Sequence, residues 1–451
     1  MRSKNFDMLS GSITKGLLSL SVPIMIMNVM QSMFNIVDMT VLKWFSDGSA
    51  VGAVGASGTL ISLCTSLLIG IAAGANVVIA RRIGSGDREA ADRAVMTSIL
   101  VAIFGGVLLM LIGAIFAEDF LVMTNCHESL LSQAVLYFKI YFYGVPILML
   151  YNFLASILRA IGDTKKPMYF LIIGGMVKFV CTIVFVALFD MDVEGVGFAT
   201  IISNSVALIL AFKAVLDSKD IVSVNFGKIA VDLFELKEIL FIGIPAGMQS
   251  AMYSIANVLI TSVVNSFGAA ATTGISIANQ FDGIMYQISY APSLATIPYV
   301  SQNIGAGNIK RVKQTVIRAV LITVSFGATF GGLSAVFSSQ LSSIMSSSSE
   351  VIAFSCQKMI IISSTYFISG INEVIGGALK GMGKPIFPAV ATFAYMCVFR
   401  FIWVYAIYPL CPNLTFLYLV WPIGWILSII TLLVPYFIAM HHLEAHAPEN
   451  D

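Results

Sequence analysis

The chain has 451 residues, of which 58% are hydrophobic and only 11% charged, with 25 Lys and Arg against 24 Asp and Glu. A soluble globular chain carries about 25% charged residues, so this composition excludes one and indicates an integral membrane protein. The formal net charge of +1 says little, because in a membrane protein the positions of the charges hold the information.

Twelve apolar runs are long enough to cross a bilayer, which takes about 20 residues per helix. The first, near 16–41, contains NVMQSMFNIVD from Asn28. Its spacing stacks Asn28, Gln31, Asn35 and Asp38 on one helical face, among Met25, Met27, Met30, Met33 and Met39. Flexible thioethers there suit a cavity for apolar ligands of several shapes. The second run, 52–78, leads into IGSGDREAADRAV from Ile83, and the third is 94–117. The fourth, 132–158, holds Lys139 and Asn152 and ends in LRAIGDTKKP from Leu158. In the fifth, 167–189, Lys178 lies eleven residues past Pro167, about 16 Å from the inner boundary and so near the midplane; Thr182 follows one turn later. The sixth is 195–216. A polar stretch over 213–238 then reads as a cytoplasmic linker with an amphipathic portion on the membrane surface.

The seventh run, 238–266, places Gln249, Asn257 and Asn265 on one stripe with Tyr253 and Thr261 between them. The eighth, 272–300, groups Asn279, Asp282 and Tyr286, and the ninth is 314–337. The tenth, 354–379, begins near Lys358 and lines Thr365, Ser369, Asn372, Gly376 and Lys380 on one face, with Glu373 beside it. Arg400 lies in the eleventh, 385–409, and the twelfth is 414–440. The runs are continuous rather than alternating, so helices are expected and not a barrel.

With the N-terminus inside, the inner segments hold 20 Lys and Arg, against Lys43 alone in the outer loops. That bias places both termini in the cytoplasm and supports the count of twelve. The first run reads as a signal anchor. The six cysteines are scattered with no CxxC pair, which offers neither a metal site nor a redox motif; Cys126 and Cys411 fall in outer loops and read as free thiols, with a disulfide between them as the alternative. His441, His442 and His446 belong to a solvated tail.

The chain repeats itself. IGSGDREAADRAV is matched by IGAGNIKRVKQTV from Ile304 at an offset of 221, LRAIGDTKKP by LKGMGKP from Leu379, and Pro23 by Pro245 at 222. Duplication of a six-helix unit follows, with halves expected to be related by an axis along the membrane normal. The expected domains are a first lobe over 1–216, a linker over 217–237, a second lobe over 238–440 and a tail over 441–451.

Ionisable groups inside spans are costly enough to mark function by default. Asp38, Lys178, Asp282, Glu373 and Arg400 qualify, whereas Lys139 and Lys358 start near the outer end and are expected to snorkel. Two acids against Arg400 leave a spare carboxylate in the second lobe, available to a proton or a cation. The Gly-rich turns follow helices and lack the lysine of a phosphate loop, so no enzyme signature emerges. Transport would draw on an ion gradient or run downhill.

NIVDM in the first run, the two Gly-rich inner turns, LRAIGDTKKP, LKGMGKP and GIPAGMQSAMYSIANVLI in the seventh run occur in order over nearly the whole chain. In these the chain resembles the multidrug and toxic compound extrusion (MATE) family, with FRFIWVYAIYP and LVWPIGWILSI similar to one bacterial branch. The resemblance implies an all-α integral membrane protein, twelve helices in two pseudo-symmetric six-helix lobes forming a V. It implies export of amphipathic, often cationic compounds in exchange for H⁺ or Na⁺, with Asp38 at the family's helix 1 carboxylate. Where many members carry Asn and Asp on helix 5, this chain has Lys178 and Thr182, so a first-lobe Na⁺ site is expected to be absent or altered. The seventh helix lacks the acid of some branches, which leaves second-lobe coupling to Asp282 or Glu373.

The expected coupling residues are Asp38, Lys178, Thr182, Asp282 and Glu373. The expected substrate contacts are Asn28, Gln31, Met33, Asn35, Asn152, Gln249, Tyr253, Asn257, Asn279, Tyr286 and Arg400. The expected partners are a small organic substrate and the lipid bilayer of the inner (cytoplasmic) membrane, with no nucleic acid and no cofactor beyond H⁺ or Na⁺. A monomer is expected. The alternative reading is a flippase for a lipid-linked saccharide.

Overall fold

The computed structural model describes residues 7–45, 48–124, 128–224 and 230–445. Among them every regular element is a helix, as a lipid environment demands when all backbone groups must be satisfied within the segment. Twelve long rods follow one another. The first six are α1 (Ile13–Phe45), α2 (Gly48–Gly84), α3 (Arg88–Ile115), α4 (Glu128–Ala160), α5 (Lys165–Leu188) and α6 (Val193–Leu216). The second six are α7 (Leu233–Asn265), α8 (Ala269–Gly305), α9 (Ile309–Val336), α10 (Ser349–Ser363 and Tyr366–Gly381), α11 (Ile386–Leu410) and α12 (Leu414–Ala445). Nine of the described helices are long and apolar enough to cross a membrane, and α10, bent by 44° at its break, makes a tenth. The other two, α7 and α8, have 33 and 37 residues and hold the polar stripes of the second half.

The chain gathers into two compact units, Met30–Ser250 in one and Asp7–Val29 with Ala251–Asp451 in the other. Where the sequence reading divides the lobes at 216 and 238, the structure assigns the start of α1 to the second unit and the start of α7 to the first. Specific contacts account for both assignments. Arg311, at the start of α9, donates to the carbonyls of Met8, Ser10 and Gly11, and Asn303 of α8 donates to Met8 O, which fixes the segment leading into α1.

At the start of α7, Gly243 and Gly247 face Gly70 and Gly74 of α2. A Cβ on Gly70 would lie 2.1 Å from Gly247 N, and one on Gly74 would lie 2.4 Å from Ile239 O. Small residues four apart on both helices thus bring two backbones into contact, as in close-packed membrane helices generally. Arg82 of α2 continues the seam, reaching Glu235 at 3.1 Å and Glu238 at 3.3 Å. Burial of Glu235 pushes its carboxyl above the usual range, against the pull of Arg82.

The repeat is visible in the inner turns. Gly162 and Gly383, 221 apart, both adopt positive φ, +86° and +75°. Each lets the following amide bond back to a helix carbonyl, Asp163 N to Leu158 O and Lys384 N to Leu379 O, both at 2.8 Å. Glycine tolerates that left-handed backbone, and the bonds satisfy carbonyls a helix end leaves open.

Of the linker, residues 217–224 form turns and irregular chain, and Leu233–Lys237 already belong to α7. Asp92 of α3 holds the 217–224 stretch by accepting from Ser223 N and Oγ at 2.6 and 2.5 Å, and Val222 is fully buried. Residues 225–229 lie outside the described residues, as do Cys126 and His446; Cys411 is exposed.

Candidate functional site

In the first unit, two adjacent glycines determine where α5 meets its neighbours. Gly175 leaves room for the Phe34 ring of α1, which a Cβ would meet at 1.8 Å, and Gly174 accepts from Ser203 Oγ of α6 at 2.7 Å. One turn beyond Phe34 comes Asp38, and one turn beyond Gly174 comes Lys178. Lys178 Nζ lies 2.5 Å from Asp38 Oδ2, with both side chains largely buried. Thr182 is fully buried beside Asp38.

Gln31 and Met33 are exposed, Asn28 belongs to the second unit, and the Asn35 side chain lies outside the described residues. Asn152 donates to Leu148 O on its own helix, at 2.9 Å. Gln249 is buried in the first unit, whereas Tyr253 and Asn257, its neighbours on the predicted stripe, belong to the second. The Asn265 and Thr261 side chains lie outside the described residues.

The second unit holds three polar groups. Asp282 of α8 pairs with Lys358 of α10 at 3.0 Å and accepts from Ser363 Oγ at 3.2 Å, while Lys358 also donates to Asn279 Oδ1. Lys358 is 4% exposed. The expectation that it snorkels is therefore corrected: a buried carboxylate within reach offers the ammonium a better partner than distant water. Glu373 of α10 accepts from Tyr253 OH at 2.8 Å and Tyr286 OH at 3.4 Å, and its backbone carbonyl accepts from Ser293 Oγ. Arg400 of α11 donates to Asn257 Oδ1 at 2.8 Å and stacks over Trp421, 5.1 Å from the ring centroid.

Once Lys358 neutralises Asp282, the spare carboxylate of the second half is Glu373, which has no basic group within 4.0 Å among the described residues. Sequence reasoning missed Lys358 as a partner, Trp421 as a ring shared by Lys358 and Arg400, and the burial of Lys380 two turns beyond Glu373. The ring was legible only as an aromatic near a span end. Lys380, at the inner end of the α10 stripe, is 8% exposed.

The chain matches the MatE family model over residues 23–188 and 245–406, one match in each half. It is 26% identical over 378 residues to "Probable multidrug resistance protein YoeA" of Bacillus subtilis (strain 168), covering 82% of this chain and 81% of that one. It is also 23% identical over 392 residues to "FAD transporter" of Shewanella oneidensis, covering 84% of each. Among solved structures, an outward-facing multidrug resistance MATE family transporter of the MOP superfamily superposes with a TM-score of 0.91 at 19% identity, covering 99% of this chain and 100% of that one.

Proposed function

The chain belongs to the MatE family of multi-pass membrane transporters, and from that premise we propose that it exports amphipathic, cationic organic compounds in exchange for protons. Export runs across the cytoplasmic membrane by alternating access, with both termini in the cytoplasm.

The observation that supports proton coupling is the 2.5 Å pair of Asp38 and Lys178. An ionised Asp38 ties α1 to α5 through Lys178. Protonation cancels the attraction and leaves the ammonium without its counter-ion, which favours a different packing of α1 on α5. A hard cation would need several oxygen ligands around the carboxylate, and Lys178 Nζ already takes the position nearest Oδ2. Thr182, fully buried beside Asp38, is the next group to receive a hydrogen bond from a protonated Asp38.

For cargo, Glu373 supplies negative charge in a frame of Tyr253 and Tyr286, whose rings lie 6.4 Å apart, with Tyr290 stacked on Tyr286 at 5.5 Å. Aromatic faces and an acid together suit an organic cation.

Lys178→Asn tests the ion assignment. With the ammonium replaced by an amide oxygen and nitrogen, a Na⁺ gradient is expected to drive cargo flux severalfold above its effect on the wild type in proteoliposomes. Unchanged ion dependence would contradict the role given to Lys178.

A further inference from the structure

The repeat offset carries information beyond the fold. The shift of 222 that takes Pro23 to Pro245 also takes Lys178 to Arg400, Asn35 to Asn257 and Asp38 to Ile260. Each unit therefore has a cation, largely buried in the first and fully buried in the second, at the same place in its fifth helix, opposite the same turns of its first. The partners differ. In the first unit the cation meets the Asp38 carboxylate at 2.5 Å. In the second, the corresponding position is Ile260, 4% exposed and packed in an apolar cluster with Trp403 and Phe399, close to Arg400 in α11.

Arg400 is left with neutral neighbours. It is 2% exposed, and its guanidinium reaches Asn257 Oδ1 at 2.8 Å, Met396 Sδ at 3.4 Å and the Trp421 ring. Among the described residues no carboxylate lies within 4.0 Å of it, since Asp282 is engaged by Lys358 and Glu373 by two tyrosines. A guanidinium offers five donors, and burying one without a counter-ion is costly. Short α-helical turns around Arg400 are flanked on both sides by π-helical stretches, Phe393–Val398 and Trp403–Ile407. Such widenings recur at functional sites. Asn257, the residue that covers the guanidinium, is itself exposed.

We infer that Arg400, Asn257 and Trp421 form a binding site for a carboxylate of the transported molecule, which supplies the counter-ion that Ile260 does not. Carboxylate and guanidinium pair through two parallel hydrogen bonds, and the Trp421 face receives the aromatic body that bears the carboxylate. A phosphate monoester fits less well, because it carries close to two charges at neutral pH against a single unpaired guanidinium. The inference rests on the export reading and sharpens it: the cargo is amphoteric, with its cationic end at Glu373 and its carboxylate at Arg400. Tyr253 bonds to Glu373 one turn before Asn257 on α7, so the two poles are neighbours.

The test uses two dyes of one skeleton, rhodamine 110 with a free carboxylate and rhodamine 123, its methyl ester. Binding to the purified protein in nanodiscs is followed by fluorescence anisotropy. The wild type is expected to bind the carboxylate dye about tenfold tighter, the gain of one well-made charge-assisted pair. Arg400→Gln should erase the preference. Ile260→Asp rebuilds the first unit's internal pair and should erase it too. A wild type without preference, or a preference that survives in both variants, overturns the inference.

Should neither dye bind, the export reading loses its support, and the site is still decided by a second pair of probes. 2-Naphthoate is expected to raise the thermal unfolding midpoint of the wild type above the effect of 2-naphthamide, and to lose that advantage in both variants. Equal effects of the two compounds on the wild type would overturn the site.

Discussion

Asp38→Asn is expected to destabilise the protein by about 3–5 kcal/mol, the usual cost of removing one partner of a buried ion pair. The cause is the stranded ammonium of Lys178, which lies in the protein interior 2.5 Å from the carboxylate it would lose. Lys178→Met should cost a similar amount, because it strands Asp38 instead. The double substitution, which leaves no charge behind, is expected to recover most of the loss. Denaturant titration of the four proteins in detergent gives the coupling energy directly, since contacting residues depart from additivity. Additive losses would show that the two side chains do not depend on one another, and the coupling mechanism would lose its switch.

The second large effect is predicted at the α2–α7 seam. Gly70→Leu should cost about 3 kcal/mol or more, at or beyond the upper end of ordinary overpacking, because the obstruction is backbone and not a side chain able to turn aside. A Cβ at that position would stand 2.1 Å from Gly247 N and 2.3 Å from Gly247 Cα. Gly58 in the same helix provides the contrast: nothing lies within 4 Å of its Cβ position. Gly58→Ala should therefore be neutral or slightly stabilising, since alanine is the better helix former. Comparable losses at the two positions, measured as thermal midpoints in the same detergent, would mean that the seam does not hold α7 to the first unit.

Much of the fold could be read from the residues because lipid reduces the choices to helices of one length class. The apolar runs appear as twelve rods, and the twin glycine turns as matching positive-φ glycines at Gly162 and Gly383. The contact of Asp38 and Lys178 was legible only through the family resemblance, which puts position 178 near the helix 1 carboxylate; depth alone says that a midplane ammonium needs a carboxylate or a wet cavity. What periodicity cannot supply is the rotation of each helix about its axis and the depth at which it bends. Gln31 shares a stripe with Asp38 in sequence and is exposed in the structure. Lys358 starts only a few residues from an outer end of its run, yet α10 holds it within 3.0 Å of Asp282. The exchange of the first parts of α1 and α7 between units had signals only in hindsight, in the paired GxxxG spacings at Gly70 and Gly243 and in Arg311. Each is a common local pattern that gains meaning from the partner it faces.

The measurement that bears most directly on proton-coupled export uses everted membrane vesicles with an imposed pH gradient. Proton release is followed by dequenching of an acridine dye as a cationic dye is added, with and without Na⁺, for the wild type and Asp38→Asn. The account predicts dequenching in the wild type that is independent of Na⁺ and absent from the variant. Dequenching that persists in Asp38→Asn, or that requires Na⁺ in the wild type, would contradict it.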